Sequence, residues 1–414
     1  MPRALSRRRR LRQRRAVTLG AVTVAIVAGT GVIDAALTLD PSIRVTPRHV
    51  SGVRAPTAPP ITFKHGVQSA TVIPALGSGS LEASPHERPV PIASLAKLMT
   101  ALIVVRRHPL GSTASGPTLT MTPADVILSD VDVAEDQSTV PITAGERLNE
   151  RQLLEALLVR SANNIATILA TWVAGSESAF VATMNATART MGLTGTHFAD
   201  ASGFNKATVS TARDVAIVTA RVEDNPTLAA IASEHAVTLP GAGTLPNIIQ
   251  AIGTGDVVGV KSGFTIWSGG CASIAVRTPT PVGELTSVGV VIGEQGYASL
   301  ARAARRAQAL ATTAAARVAS ERIIDTRELV GWARAPWRAA PIPIVAARSV
   351  RVLLWPATEA SVRIALRPPA LPAPRGRAVG EIVVTTPTTT ITVPAILTAS
   401  LGTPSFGWRL THAL

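Results

Sequence analysis

The chain has a single cysteine, Cys271, in 414 residues, so no disulfide can join two points of it. That cysteine lies in the small, apolar run WSGGCASIAV, which offers no positive or exposed setting for a nucleophilic thiolate, and it is read as a small packed hydrophobe. Aromatic residues make up only 3% of the chain, and no basic stripe carries interleaved aromatics, which argues against base-stacking and nucleic-acid surfaces. Seven histidines form no HExxH or comparable ligand spacing, so nothing supports metal catalysis, and strict nucleotide-binding signatures are also missing. Lysine is nearly absent. Of 40 basic residues only Lys64, Lys97, Lys206 and Lys261 are lysines, the rest being arginine. Arginine stays protonated in a protein, whereas a buried lysine can lose its proton and act as a base, so these four positions are where acid–base chemistry is sought first.

Charge is unevenly placed. Eight arginines fall in residues 1–15, which leaves +6 on the rest of a chain whose net charge is +14. The basic tail runs into AVTLGAVTVAIVAGTGVI, residues 16–33, which carries no charge and as a helix would span about 27 Å, close to the hydrocarbon thickness of a bilayer. Residues 16–39 are therefore expected to be a signal-anchor, with the arginine tail cytoplasmic and the bulk of the chain beyond the bacterial cytoplasmic membrane, or secreted if the segment is cleaved. The proline-rich residues 40–60 read as a semi-extended tether.

From 61 to 320, helical and strand periods mix without a repeat. ATVIPALG reads as a strand. In IASLAKLMTALIVV, residues 92–105, Leu95, Leu98, Met99, Leu102 and Val105 make one continuous helical face, in which Lys97 is the only charge. Asn149 with Gln152, and Thr211 with Asp214, are start signals for two further helices, and SANN at 161–164 interrupts the first of these before helical spacing resumes. VVGVKSGFT, CASIAV and TSVGVVIG read as consecutive strands, followed by an alanine-rich helix. A linker is placed at 321–340. Beyond it, residues 341–414 hold short Val, Ile and Thr runs broken by Pro and Gly, the pattern of a small all-β module.

Three short motifs occur in order: Ser94-Leu95-Ala96-Lys97, Ser161-Ala162-Asn163 and Lys261-Ser262-Gly263. A serine hydroxyl is a weak nucleophile until a base takes its proton, and residues three apart on a helix are neighbours, so Lys97 is placed to activate Ser94. Burial, helped by the charge of Lys261, is expected to lower the pKa of Lys97. Ser161 is placed to relay a proton to a leaving amine, and Asn163 to hold a substrate amide. Lys261-Ser262-Gly263 on an edge strand offers a cation, a hydroxyl and a glycine alongside which a peptide backbone can pair.

This ordered set resembles that of the serine-type D-Ala-D-Ala carboxypeptidases, the low-molecular-mass penicillin-binding proteins of the peptidase S11 type. The resemblance runs over about residues 65–320, through blocks such as AGERLNERQLLEALLVRSANNIATILATWVAGS, FVATMNATARTMGLTGTHFADASGF and GVKSGFTIWSGGCASIAV. It implies an α/β, β-lactamase-like domain, an antiparallel sheet flanked by helices with a helical subdomain that carries SANN, followed by the β module. It also implies Ser94 as the acylated nucleophile, Lys97 as its base and Ser161 as the third catalytic group. Asn163, Lys261, Ser262, Gly263 and Phe264 would bind substrate, with Ser262 at its terminal carboxylate and the N–H groups of Ser94 and Phe264 as the oxyanion hole. The implied substrate is a peptidoglycan stem peptide ending in D-Ala-D-Ala, β-lactams would acylate the same serine, and no cofactor is implied. FGWRLTHAL is too short for the terminal amphipathic helix that holds some family members to the membrane, so anchoring is expected to rest on residues 16–33.

Two other readings share this fold. A serine β-lactamase needs a deacylating base, usually a glutamate after the second motif, and residues 178–222 contain none. A wall-binding scaffold that has lost activity would not be expected to retain Ser94, Lys97, Ser161, Asn163 and Lys261 together.

Overall fold

The structure is a computed structural model that describes residues 3–39, 42–249, 252–253 and 256–412. Helix α1, Arg3–Thr38, contains the charge-free run. Within it Gln13–Thr38 is the one helix among the described residues that by itself is long and apolar enough to cross a membrane, with a mean hydropathy of 2.1. Its side chains Val17, Leu19, Val24 and Ile26 are exposed.

The described chain divides into two compact units, one within residues 54–321 and 352–359, the other, which includes helix α1, within 1–53, 322–351 and 360–414. The first unit is built on a five-stranded antiparallel sheet. Its strands are β1 (Gln68–Val72), β2 (Glu82–Ala83), β3 (Val257–Thr265), β4 (Gly269–Thr280) and β5 (Gly283–Glu294). They lie in the order β3-β4-β5-β1-β2, so β3, which carries the third motif, is an edge strand with one side free of a sheet partner. The run ATVIPALG is a strand only as far as Val72. Pro74 then opens a 3₁₀ turn to Ser80, whose hydroxyl accepts from Ile73 N and donates to Ile73 O and Gly77 O; proline has no N–H to continue the ladder.

Helices α2 (Lys97–Arg107), α3 (Pro123–Ala134), α4 (Glu150–Val159), α5 (Asn163–Ala174), α6 (Glu177–Thr190) and α7 (Ala212–Glu223) supply most of one hydrophobic core, while α8 (Ser299–Ala316) covers the opposite face of the sheet. Asn149 and Thr211 cap α4 and α7 as the sequence signals predict, each accepting from the backbone N–H three residues on. Helix α8 packs through Ala303, Ala307 and Ala311, an i, i+4, i+8 stripe of small residues that lets it lie close on Ala272, Ile274 and Val276.

The second unit holds an antiparallel sheet in which Arg44–Pro47, Leu329–Arg334, Ile342–Ala346, Thr390–Leu397, Ala378–Thr385 and Glu359–Leu366 are successive neighbours. Two sequence boundaries change here. The tether at 40–60 contributes Arg44–Pro47, paired from Arg44↔Arg334 to Pro47↔Gly331, and the linker at 321–340 contributes its partner strand. A four-residue strand at a sheet edge, where proline is tolerated, leaves no periodicity for sequence to show; the distant partner makes it a strand.

Candidate active site

The three motifs meet where β3 passes the start of α2. Ala93–Ala96 is a 3₁₀ turn and α2 begins only at Lys97, so Ser94 stands one tight turn before the helix proper. In a 3₁₀ turn, residues i and i+3 eclipse, which brings the two side chains together. Lys97 Nζ lies 3.0 Å from Ser94 Oγ, and it also donates to Asn163 Oδ1 at 2.5 Å and to Ser202 O at 2.9 Å. Lys97 is fully buried although it belongs to the most solvent-seeking residue types, and its amine is held by three protein acceptors. Burial lowers its pKa to about 7, and the nearby carboxylates of Asp200 and Asp132 oppose the shift. The repulsion expected between the two lysines falls on Lys261, which is pushed well below its ordinary value by burial first and by Lys97 second.

Asn163 is the first residue of α5. Its Oδ1 faces Lys97 and its Nδ2 donates to Gln137 Oε1 at 2.5 Å, so it links the second motif to the segment after α3. Ser161, two residues earlier, has φ of 60°, in the left-handed region that costs a side-chain-bearing residue free energy, and its hydroxyl is buried without a hydrogen-bond partner among the described residues. A buried, unpaired hydroxyl on a strained backbone is where a substrate group would be accommodated.

Lys261, also fully buried, donates to Ser262 O at 2.9 Å and makes no hydrogen bond to Ser161 among the described residues. Gly263 lies against the Ala93–Ala96 turn. A Cβ there would stand 2.6 Å from Ser94 N and 3.0 Å from Ser94 Cβ, so a side chain at this position would push β3 and the Ser94 turn apart. Phe264 follows, with 54% of its surface exposed. The other two lysines do different work: Lys64 pairs with Glu294 at 3.5 Å, and Lys206 stands 5.3 Å over the Trp267 ring.

The segment Ala199–Phe204, which supplies Ser202 O, was not singled out for the site by the residue-level reasoning. Asp200 organises it by accepting from Ser202 Oγ at 2.6 Å, Thr208 Oγ1 at 2.5 Å and Phe204 N at 2.9 Å. Gly203, at φ +83°, packs so closely on Ala93 that a Cβ would overlap its carbonyl oxygen. The signal was present in FADASGF, but an Asp-Ala-Ser-Gly turn has no chemistry of its own until it is set against Lys97. Gln137 gave no sequence signal.

Residues 56–294 match the family described as D-alanyl-D-alanine carboxypeptidase, peptidase S11. Among curated proteins the chain is similar to the D-alanyl-D-alanine carboxypeptidase DacB2 of Mycobacterium tuberculosis, at 29% identity over 44% of this chain and 59% of that protein. It is similar to the D-alanyl-D-alanine endopeptidase of Escherichia coli at 28% identity, over 45% of this chain and 59% of that protein. The carboxypeptidase DacA of Escherichia coli matches at 28% identity over 42% of this chain and 43% of that protein. The chain thus spans between two fifths and three fifths of the length of these relatives. In fold it is similar to a peptidoglycan synthesis regulatory factor (PBP3) of Streptococcus pneumoniae, with a TM-score of 0.61 and 19% identity over 82% of this chain and all of that one. Penicillin binding protein 6B of Escherichia coli gives 0.57 and 21%, over 84% of this chain and 99% of that one. With more than half of its residues matched, the chain belongs to the D-alanyl-D-alanine carboxypeptidase family, peptidase S11.

Proposed function

We propose that this protein is a serine D-Ala-D-Ala carboxypeptidase acting on peptidoglycan stem peptides, and that β-lactams acylate it at Ser94. The observation that carries the reading is the 3.0 Å contact between Ser94 Oγ and a buried lysine amine whose pKa is brought to about 7, where half of it is a free base near neutral pH.

In this mechanism the substrate lies along the free edge of β3. Ser94 Oγ attacks the carbonyl carbon of the D-Ala-D-Ala bond as its proton passes to Lys97 Nζ, and the Ser94 and Phe264 N–H groups take up the oxyanion. The C–N bond breaks, the leaving D-Ala amine receives a proton through Ser161, and an acyl ester remains on Ser94. Water then attacks the ester, giving its proton to Lys97 as Ser94 regains its own. Asn163 holds both the Lys97 amine and the substrate amide, and the Ser262 hydroxyl binds the terminal carboxylate. Helix α1 would anchor the protein, with this unit on the outer side of the cytoplasmic membrane.

Labelling with a fluorescent penicillin tests the reading. The wild-type chain takes the label and releases D-Ala from a stem pentapeptide, and Ser94→Ala does neither. Labelling that is absent, or that survives the substitution, refutes it.

A further inference from the structure

The end of β3 presents apolar side chains to solvent. Phe264, Ile266 and Trp267 are all exposed, and so is Phe204, in a chain of which only 3% is aromatic. Large apolar side chains are normally drawn into the core, so several left outside in one place mark a surface that meets a partner. The turn after β3 is braced to hold two of them out. Ser268 N donates to Thr265 Oγ1 and Thr265 N to Ser268 Oγ, both at 3.1 Å, which closes the turn on itself with Ile266 and Trp267 at its tip.

A second segment reaches the same turn from the active site. Gly203 packs on Ala93 and Gly263 on Ser94, so the Ala93–Ala96 turn is held between the Ala199–Phe204 segment and β3. Ser202 O accepts from Lys97, and four residues further on Lys206 Nζ stands 5.3 Å over the Trp267 ring. Lys206 is exposed and has no carboxylate partner among the described residues. The acidic residue nearest to it in sequence, Asp200, is engaged by Ser202, Thr208 and Phe204. An ammonium held over an indole face offers a ligand both an apolar plate and a positive charge.

In the mechanism above, the terminal carboxylate sits at Ser262 and the scissile carbonyl at Phe264 N–H. The peptide upstream of the scissile bond therefore leaves along Thr265 towards the turn. Two residues of extended peptide cover ~7 Å, the length of β3 and turn that separates Phe264 from Ile266 at the tip. We propose that Lys206 and Trp267 form a subsite for an acidic residue of the stem peptide, two positions before the D-Ala acylated on Ser94. The methylene groups of that residue lie on the indole, and its carboxylate meets the Lys206 ammonium. The inference rests on the hydrolase reading above and deepens it by naming the preferred stem peptides, those with a free carboxylate at that position over those in which it is amidated. Lys206 is a specificity-determining contact outside the acyl-transfer chemistry.

The test uses the full chain and two peptides that differ in one group. One is N-acetyl-L-Ala-γ-D-Glu-L-Lys-D-Ala-D-Ala with its lysine Nε acetylated, and the other is the same peptide with the glutamyl α-carboxylate converted to a carboxamide. At low ionic strength the wild type should show a KM about three- to fivefold lower for the acid with equal kcat, the size expected of an exposed ion pair that binds ground and transition states alike. Added salt should narrow the gap. Lys206→Gln should abolish it and Lys206→Glu should reverse it, while Trp267→Ala should raise KM at least threefold for both peptides. Lys206 and Trp267 are exposed, so these substitutions leave the core intact. Equal KM for acid and amide in the wild type overturns the subsite alone, and that comparison needs no variant. A preference that Lys206→Glu leaves unchanged, or a KM that Trp267→Ala leaves unchanged, also overturns it. Release of D-Ala from neither peptide overturns the hydrolase reading and the subsite with it.

Discussion

Replacing Lys97 with arginine separates the charge of this residue from its ability to give up a proton. An amine with the ordinary pKa of 10.5 is neutral in about three molecules per ten thousand at pH 7, whereas at about 7 roughly half are neutral. Burial thus raises the supply of free base about a thousandfold, which corresponds to about 4 kcal/mol at 1.36 kcal/mol per pH unit. A guanidinium does not deprotonate at any working pH, so Lys97→Arg keeps the positive charge and removes the base. Acylation by a fluorescent penicillin, followed at pH 5 to 9, should fall by about 10²- to 10⁴-fold, the usual contribution of a positioned general base. In the wild type the rate should climb with pH through about 7 as Lys97 Nζ loses its proton. Thermal melting checks that the longer side chain is accommodated, and Lys97→Met, which is neutral and similar in length, should lose acylation equally. An arginine variant that keeps a tenth of the rate, or a wild-type profile flat from pH 5.5 to 8.5, would refute the reasoning.

Asp200 opposes the lowered pKa of Lys97, so Asp200→Asn should shift the acidic limb of the same profile to lower pH. It should also lower the melting temperature, since the carboxylate accepts from Ser202, Thr208 and Phe204; a limb that moves up or stays in place counts against the electrostatic account. Gly263→Ala puts a Cβ 2.6 Å from Ser94 N, which forces β3 and the nucleophile turn apart. Penicillin acylation should drop at least tenfold with the fold retained by circular dichroism, and unchanged acylation would mean that the groove tolerates a wider spacing.

The closeness of Ser94 to Lys97 was legible in the sequence because it is carried by local spacing. The i to i+3 step from Ser94 to Lys97 survives whether the turn is α or 3₁₀, and scarcity of lysine made Lys97 and Lys261 stand out against an arginine background. Helix starts at Asn149 and Thr211 were legible for the same reason, since a cap and its partner lie three residues apart. Edge placement was also expected of the strand that carries Lys261-Ser262-Gly263, and the sheet order agrees.

Tertiary structure alone decided what depends on distant partners. It set Ser202 O and Asn163 Oδ1 on the Lys97 amine across 105 and 66 residues of chain, and it buried that amine, which is the main cause of its lowered pKa. It made a strand of Arg44–Pro47 by pairing it with residues 331–334. It brought Gly263 against Ser94 and Gly203 against Ala93, close approaches between distant segments that no local period encodes. The sequence determined which residues can do the chemistry, because reactivity belongs to side chains and short spacings. Only the folded chain decided their protonation, their acceptors and the space beside them, because burial and close approach arise when distant segments exclude water together.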